Sequence, residues 1–322
     1  MLSISPEALT AALNVEVAPI EQIQTSFIGA FSCELWRLDV RYADRAGPTP
    51  LVLKRPKQEP GRDPLTLERK FYQHFAGRIS AAPKYFGYLA EEDGVLLEFV
   101  DGLEHFDWMS GPGETHAEDS LVALAELHNT HIVGMVDGKD ADVDNDVGIR
   151  RFDAQLRADA FDQGWARVRD LLVGYYPRFA PVGDALVGRL SQALRPLATP
   201  ECLLHGDAHG ENIPVRSGGG VCMLDWQDPT LGNPGLDVAD YLVMSYPVDL
   251  RRTVARRMVE RHAGLLDIEF DAWTSYRIGT LQRVARVTAS AGQFPDWANS
   301  SLPWVFERCA AAAIDANVLE LI

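Results

Sequence analysis

The apolar residues of this 322-residue chain change their spacing about a third of the way along. Up to about residue 100 they fall in short runs bounded by turn-forming residues, and beyond it they recur at three- and four-residue steps over long stretches. Such a division predicts an α+β class with two lobes, a small β-rich one over residues 1–100 and a larger, mainly helical one over 101–322. A chain of this length holds about two domains with cores of their own and needs no disulfide or metal staple. In the first part, Glu34–Tyr42 and Leu51–Lys54 read as strands of a meander, separated by the turn-rich Ala46-Gly47-Pro48. The one helix expected there spans Pro64–Phe75, where Leu67, Phe71, Tyr72 and Phe75 form an apolar stripe with Glu68 beside it. A further strand, Gly94–Val100, stops at the turn pair Asp101-Gly102, which marks the boundary.

The second part begins with a helix whose start, Thr115-His116-Ala117-Glu118, has capping-box spacing and whose buried face runs through Leu121, Leu124, Ala125, Leu127 and His128. Helical periodicity then covers Phe152–Tyr175, Val182–Ala198, Leu236–Tyr246, Asp249–Gly264, Phe270–Ala291 and Leu302–Leu321. Between Gly134 and Gly148, Asp137, Asp140, Asp142, Asp144 and Asp146 lack the spacing of a calcium loop and read as a solvated turn. Thirty basic against 46 acidic residues leave a net charge of −16, which argues against nucleic acid or an anionic membrane as partner. Cys33, Cys202, Cys222 and Cys309 lie far apart, so they are expected as free thiols in a reducing compartment. With no basic residue before Arg37 and no apolar run of membrane-spanning length, a cytoplasmic location is expected.

The chemistry is concentrated in Leu203–Ala239, LLHGDAHGENIPVRSGGGVCMLDWQDPTLGNPGLDVA. Ile213–Arg216 and Val221–Asp225 are β-like runs around a four-residue hairpin loop, Ser217-Gly218-Gly219-Gly220. If Arg216 pairs with Val221, the constant position sum of an antiparallel ladder sets Asn212 opposite Asp225 at the open end. Pro214, which has no N–H, is then expected on the unpaired side of its strand. An amide oxygen and a carboxylate are hard ligands that suit a magnesium ion shared with substrate phosphates. Asp207, five residues before Asn212, is placed to orient an attacking hydroxyl and accept its proton.

His205-Gly206-Asp207, Asn212 and Asp225-Trp226 closely resemble the catalytic segment of the aminoglycoside phosphotransferase and choline kinase-like family, whose fold is similar to that of protein kinases. The resemblance implies that Asp207 is the catalytic base and that Asn212 and Asp225 bind magnesium. It further implies that Asp237, in Pro-Gly-Leu-Asp-Val-Ala, braces the catalytic loop. Leu51-Val52-Leu53-Lys54 resembles the strand whose lysine holds the ATP α- and β-phosphates, with Glu68 as its helical ion-pair partner. Leu96–Gly102 looks like the hinge, where the Glu98 carbonyl and the Val100 amide would hydrogen-bond adenine. The Leu-Ala-x-Leu-His helix of the family appears as Leu124–His128. Phe27–Ser32 takes the place of the nucleotide-covering loop, which puts Gly29 and Ser32 at the cofactor, with one glycine where protein kinases have three. Gln227 stands where a protein kinase has glycine, and twelve residues from Asp225 to Asp237 leave no room for an activation segment.

The implied reaction is transfer of the ATP γ-phosphoryl group, with Mg2+, to a hydroxyl of a small molecule such as an aminoglycoside, an amino alcohol or another metabolite alcohol. Two other readings are a catalytically silent nucleotide-binding scaffold and a metal-dependent hydrolase built on His205 and His209. His205 reads better as a packed histidine that supports the loop, and Trp226 as core. Asp228 and Asp240 face either the substrate pocket or water. Trp273, Tyr276, Trp297, Trp304 and Phe306 read as core, with a hydrophobic acceptor pocket as the other use. No Walker or dinucleotide-binding glycine motif occurs in the chain.

Overall fold

The computed structural model describes residues 4–17, 25–27, 33–42, 47–57, 65–130, 148–293 and 302–321. The fold is the two-lobed, protein-kinase-like one, a small antiparallel sheet followed by a mainly helical remainder. Helix α1 (Pro6–Leu13) precedes strands β1 (Thr25–Phe27), β2 (Cys33–Arg41) and β3 (Pro48–Pro56), then helix α2 (Thr66–His74) and strands β4 (Tyr85–Leu89) and β5 (Gly94–Glu98). The strands pair antiparallel in the order β1-β2-β3-β5-β4. β2 and β3 are matched over nine positions from Cys33 opposite Pro56 to Arg41 opposite Pro48, the meander expected from their alternation. β3 also pairs with β5, which sets Lys54 between Leu35 and Val95 in the middle of the sheet.

Two features of this part depart from expectation. The sheet carries a second helix, α1, capped by the Ser5 hydroxyl, which accepts from the Ala8 amide at 3.0 Å. Its Leu9 and Leu13 are buried against the sheet, and β4 admits the helix because Gly87 has no Cβ, which would stand 2.1 Å from the Ala12 carbonyl. The last strand stops at Glu98, leaving Phe99 and Val100 as connecting chain.

The helical part contains α3 (Glu114–His128), β6 (Arg150–Arg151), α4 (Ala154–Tyr175), α5 (Ala180–Leu186), α6 (Leu190–Leu194), β7 (Cys202–Leu204), β8 (Thr230–Gly232), α7 (Gly235–Ser245), α8 (Val248–Ala263), α9 (Ala272–Gln293) and α10 (Leu302–Asp315). All five apolar-face residues foreseen on α3 are buried. The capping box is not used: Gly113 occupies the cap, Thr115 lies within the helix, and Glu118 forms an ion pair with Arg261 of α8 at 2.5 Å. The single helix expected over Val182–Ala198 is broken into α5 and α6, with Gly188 at φ 70° between them. The aspartate-rich segment from Asp137 to Asp146 lies outside the described residues.

β7 and β8 pair antiparallel, Leu203 opposite Leu231, and so close both ends of the 205–229 segment onto one small sheet. One apolar cluster joins the two lobes behind that segment: Phe71, Val95 and Leu97 from the small lobe pack with Leu121, Ile213, Met223, Trp226 and Tyr241. The Trp226 indole lies flat on Phe71, 3.7 Å between ring centres and 8° between planes. Buried aromatic pairs of this kind add about 1 kcal/mol beyond area burial. Among the described residues no helix is long and apolar enough to cross a membrane.

Candidate active site

Lys54 projects from β3, the middle strand of the sheet, where strand alternation and the neighbours on both sides leave it 5% exposed. Its Nζ stands 2.7 Å from Glu68 Oε2 on α2 and 2.5 Å from Asp225 Oδ1, 171 residues along the chain. Burial alone would drive the lysine towards neutrality, but the two carboxylates outweigh it and hold its pKa above the ordinary value. Glu68 is fully buried, so this ion pair is one that cannot lose a member cheaply. Asp225 itself sits at φ 63°, the left-handed region few side chains adopt, and its carboxylate is 42% exposed.

The loop from His205 to Asn212 is held from below by Asp237 of α7. Its two oxygens accept from the His205 amide at 2.7 Å and the Gly206 amide at 3.0 Å, and Oδ2 also faces His128 Nε2 at 3.1 Å. These bonds outweigh burial and depress the Asp237 pKa. His128 Nδ1 lies 3.0 Å from Nε2 of His262 on α8, a buried imidazole pair beneath the loop that sequence analysis did not find. Gly206 adopts φ 80° and packs so closely on the Asp228 carbonyl that a Cβ would come within 1.9 Å.

His205 is wholly buried, its ring tilted 43° against Trp226 with 4.4 Å between ring centres. Its Nδ1 accepts from the Asp207 amide at 3.3 Å and its Nε2 donates to the Leu224 carbonyl at 2.8 Å, so neither nitrogen is open to a metal. That bears out the packed-histidine reading and deprives the hydrolase reading of a ligand. Among the described residues no group of three or more His, Cys, Asp and Glu is disposed to hold a metal ion.

The strand pairing after Asn212 corrects the expected register by one residue. Val215 bridges Val221, Cys222 N–H donates to the Pro214 carbonyl at 2.8 Å, and Leu224 N–H donates to the Asn212 carbonyl at 2.7 Å. The turn is therefore Arg216–Gly220, and Asn212 faces Leu224, with Asp225 one residue beyond. The reason lies on the other edge: Val215 exchanges both backbone bonds with Glu104, so the residues on either side of it, Pro214 included, point at the partner run. Pro214 thus sits on the paired side rather than the unpaired one, and its missing N–H leaves the ladder one bond short.

The slip does not scatter the site. Asn212 Nδ2 donates to the Asp207 carbonyl at 2.9 Å, which leaves the amide oxygen as the group available to a cation. A continuous chain of contacts therefore runs from Glu68 through Lys54 to Asp225, and from its neighbour Leu224 through Asn212 to Asp207.

Asp207 has neighbours that sequence analysis missed. Arg283 Nη1 of α9 stands 2.9 Å from its Oδ1 and 3.2 Å from Asp240 Oδ2, while Arg286 Nη2 stands 3.4 Å from Oδ1. Arg286 Nη1 donates to the Gly206 carbonyl and faces Asp228 and Asp240 at 3.6 and 3.7 Å. Burial opposes its charge, but Arg286, His209 and Arg283 outweigh it and hold the Asp207 carboxyl well below the usual carboxylate range. A signal existed in the sequence: two arginines inside the apolar run Leu281–Val287 are out of place unless they meet buried acids. Asp240 is buried against these arginines, and Asp228 is partly exposed beside them.

Glu98 ends β5, its amide bonded to the Lys84 carbonyl at 2.9 Å, and Val100 follows half-buried before the Gly102 turn. Gly29 and Ser32 lie outside the described residues. Gln227 Nε2 donates to Cys33 Sγ at 3.5 Å, tying the end of the Asp225 segment to β2.

Residues 37–278 match the model of the phosphotransferase enzyme family. Among solved structures, the chain is similar to macrolide 2′-phosphotransferase from Brachybacterium faecium, at 17% identity and a TM-score of 0.56, over 95% of this chain and 96% of that one. It is similar to choline kinase from Cryptosporidium parvum at 13% identity and a TM-score of 0.57, over 94% and 91% of the two chains. It is also similar to a spectinomycin phosphotransferase solved with ADP and spectinomycin, at 13% identity and a TM-score of 0.56, over 98% of each chain. These likenesses are likenesses of fold. Comparison with curated proteins finds no match.

Proposed function

We propose that this chain, which belongs to the phosphotransferase enzyme family, transfers the γ-phosphoryl group of ATP to a hydroxyl of a small-molecule acceptor. The observation that carries the reading is the unbroken run of contacts that gathers Glu68, Lys54, Asp225, Asn212 and Asp207 from three separate stretches of sequence. The nucleotide lies between residues 1–100 and 101–322, with the Glu98 carbonyl and Val100 amide for the adenine edge. Lys54 supplies fixed positive charge to the phosphates, and Glu68 keeps it from collapsing wholly onto Asp225.

The oxygens of Asn212 and Asp225 suit magnesium, since one amide oxygen is left over by its own hydrogen bond and one carboxylate is partly open to solvent. When bound, the ion neutralises charge on the phosphates. Asp207 accepts a hydrogen bond from the acceptor hydroxyl and takes its proton as the new oxygen–phosphorus bond forms and the bond to ADP breaks. The acceptor belongs to the alcohols, and amino alcohols and aminoglycosides are the first to try.

The test is consumption of MgATP across a panel of alcohols, with Asp207→Ala as control. The expected result is an acceptor-dependent rate that falls about 10²–10⁴-fold in Asp207→Ala while ATP binding, read by thermal shift, survives. Near wild-type turnover in that variant overturns the assignment.

A further inference from the structure

We infer that Arg283 and Arg286 are positioning residues that anchor Asp207 by its Oδ1 and so present Oδ2 to the acceptor hydroxyl, an inference that rests on the phosphotransfer reading above. Both arginine contacts to this carboxylate go to the same oxygen, at 2.9 and 3.4 Å. The other oxygen faces His209 Nε2 at 3.6 Å, and the side chain as a whole is partly exposed. The carboxylate torsion of an aspartate is broad and two-fold, so one donor would leave it free to turn. A hydrogen bond from Arg283 and the charge of Arg286 on the same oxygen hold it.

The anchors are themselves fixed. Positions 283 and 286 are one helical turn apart, on the same face of the 22-residue α9. Arg283 is 7% exposed and spans Asp207 and Asp240, while Arg286 also holds the Gly206 carbonyl at the loop's left-handed glycine. Burying two guanidinium groups is costly unless acids and hydrogen bonds meet them, and here Asp207, Asp228 and Asp240 do. A packed helix thereby sets the direction of a reactive oxygen, and small misplacements of such an oxygen lower rates strongly.

The experiment follows phosphate release from MgATP in the full chain, with water as the hydroxyl acceptor, and reads a double-mutant cycle. Asp207→Asn is expected to lower the rate about 100-fold or more. Arg286→Gln is expected to lower kcat about 10- to 50-fold with the KM for ATP within about 2-fold, and Arg286→Lys to recover most of the loss. In the Asp207→Asn background, Arg286→Gln should cost nothing further, because its effect passes through the missing carboxylate. An Arg286 that served only to hold the loop together would lower the rate again in that background, and that multiplicative loss overturns the inference. So does a wild-type rate in Arg286→Gln beside an inactive Asp207→Asn, a result that leaves the phosphotransfer reading standing. A wild-type chain that releases no phosphate and consumes no ATP with any alcohol removes both. Should Arg286→Gln melt below the assay temperature, Arg283→Gln, which leaves the Gly206 contact in place, must show the same non-additivity.

Discussion

At the scale of single residues, the buried lysine is the group whose removal separates structure from chemistry. Lys54→Met takes the cation away from Glu68, which is fully buried and then has no countercharge at its carboxylate. Removing one member of such a pair costs about 3–5 kcal/mol of stability, and the phosphates lose their fixed charge at the same time. Lys54→Met should therefore melt early and lose at least about 100-fold in kcat/KM for ATP, while adding Glu68→Gln should restore much of the stability and none of the rate. Calorimetry and steady-state kinetics check the two halves, and recovery of activity in the double variant would show that Lys54 is structural only. Both residues were legible in the sequence through the resemblance of their strand and helix to the family's lysine and its ion-pair partner; read singly, a lysine at a strand end and a glutamate beside a helix stripe pass for solvated groups. Arg283 and Arg286 carried a signal of another kind, charge on an apolar helix face, but their partners lie on another helix and in a loop, at distances along the chain that periodicity does not reach.

At the scale of elements, the loop from His205 to Asn212 is defined by two strand ends and one helix. β7 and β8 hold its flanks, Asp237 at the start of α7 holds its first amides, and Gly206 lets the backbone approach Asp228. Gly206→Ala must place a methyl group 1.9 Å from a carbonyl oxygen at φ 80°, so the loop has to move. It should cost about 2–4 kcal/mol and lower kcat far more than it raises the KM for ATP, since Lys54, Glu98 and Val100 lie on other segments. Denaturant unfolding and kinetics on the variant test this, and unchanged kcat would show that Gly206 does not set the position of Asp207. The longer helices and strands β2, β3 and β5 were legible to within a few residues because their periodicity repeats, whereas the short α1 and the break at Gly188 were not. The 212–225 register was not, because it is decided by the bonds between Val215 and Glu104, a strand partner over a hundred residues away, and not by the turn. The capping box at Thr115 failed for the same kind of reason, since Arg261 of α8 claims the glutamate the box would have used.

At the scale of the whole molecule, the core that joins the lobes encloses imidazoles that cannot easily charge. His205 and His262 are at most 1% exposed and His116 is 8% exposed, and burial lowers the pKa of each from the ordinary 6.5, that of His262 farthest. A group whose folded pKa lies below its unfolded one binds fewer protons folded than unfolded between the two values. Its contribution to stability is complete above about pH 6.5 and is lost as pH falls towards the folded value. Asp207 and Asp237, lowered from 3.8, lose theirs only below about pH 4, and Asp240, raised from 3.8, gives its stability at low pH and so opposes the trend only near its own titration. Acid sensitivity of the fold therefore begins near neutrality, with each histidine able to contribute a slope of up to about 1.4 kcal/mol per pH unit. Guanidinium unfolding at pH 7.5 and 5.5 should show the chain less stable at the lower pH, and His262→Gln should flatten that difference while keeping an amide beside His128. Equal stability at the two pH values, or an undiminished slope in the variant, would mean that these imidazoles charge in the folded state and that the core between the lobes opens to water around them.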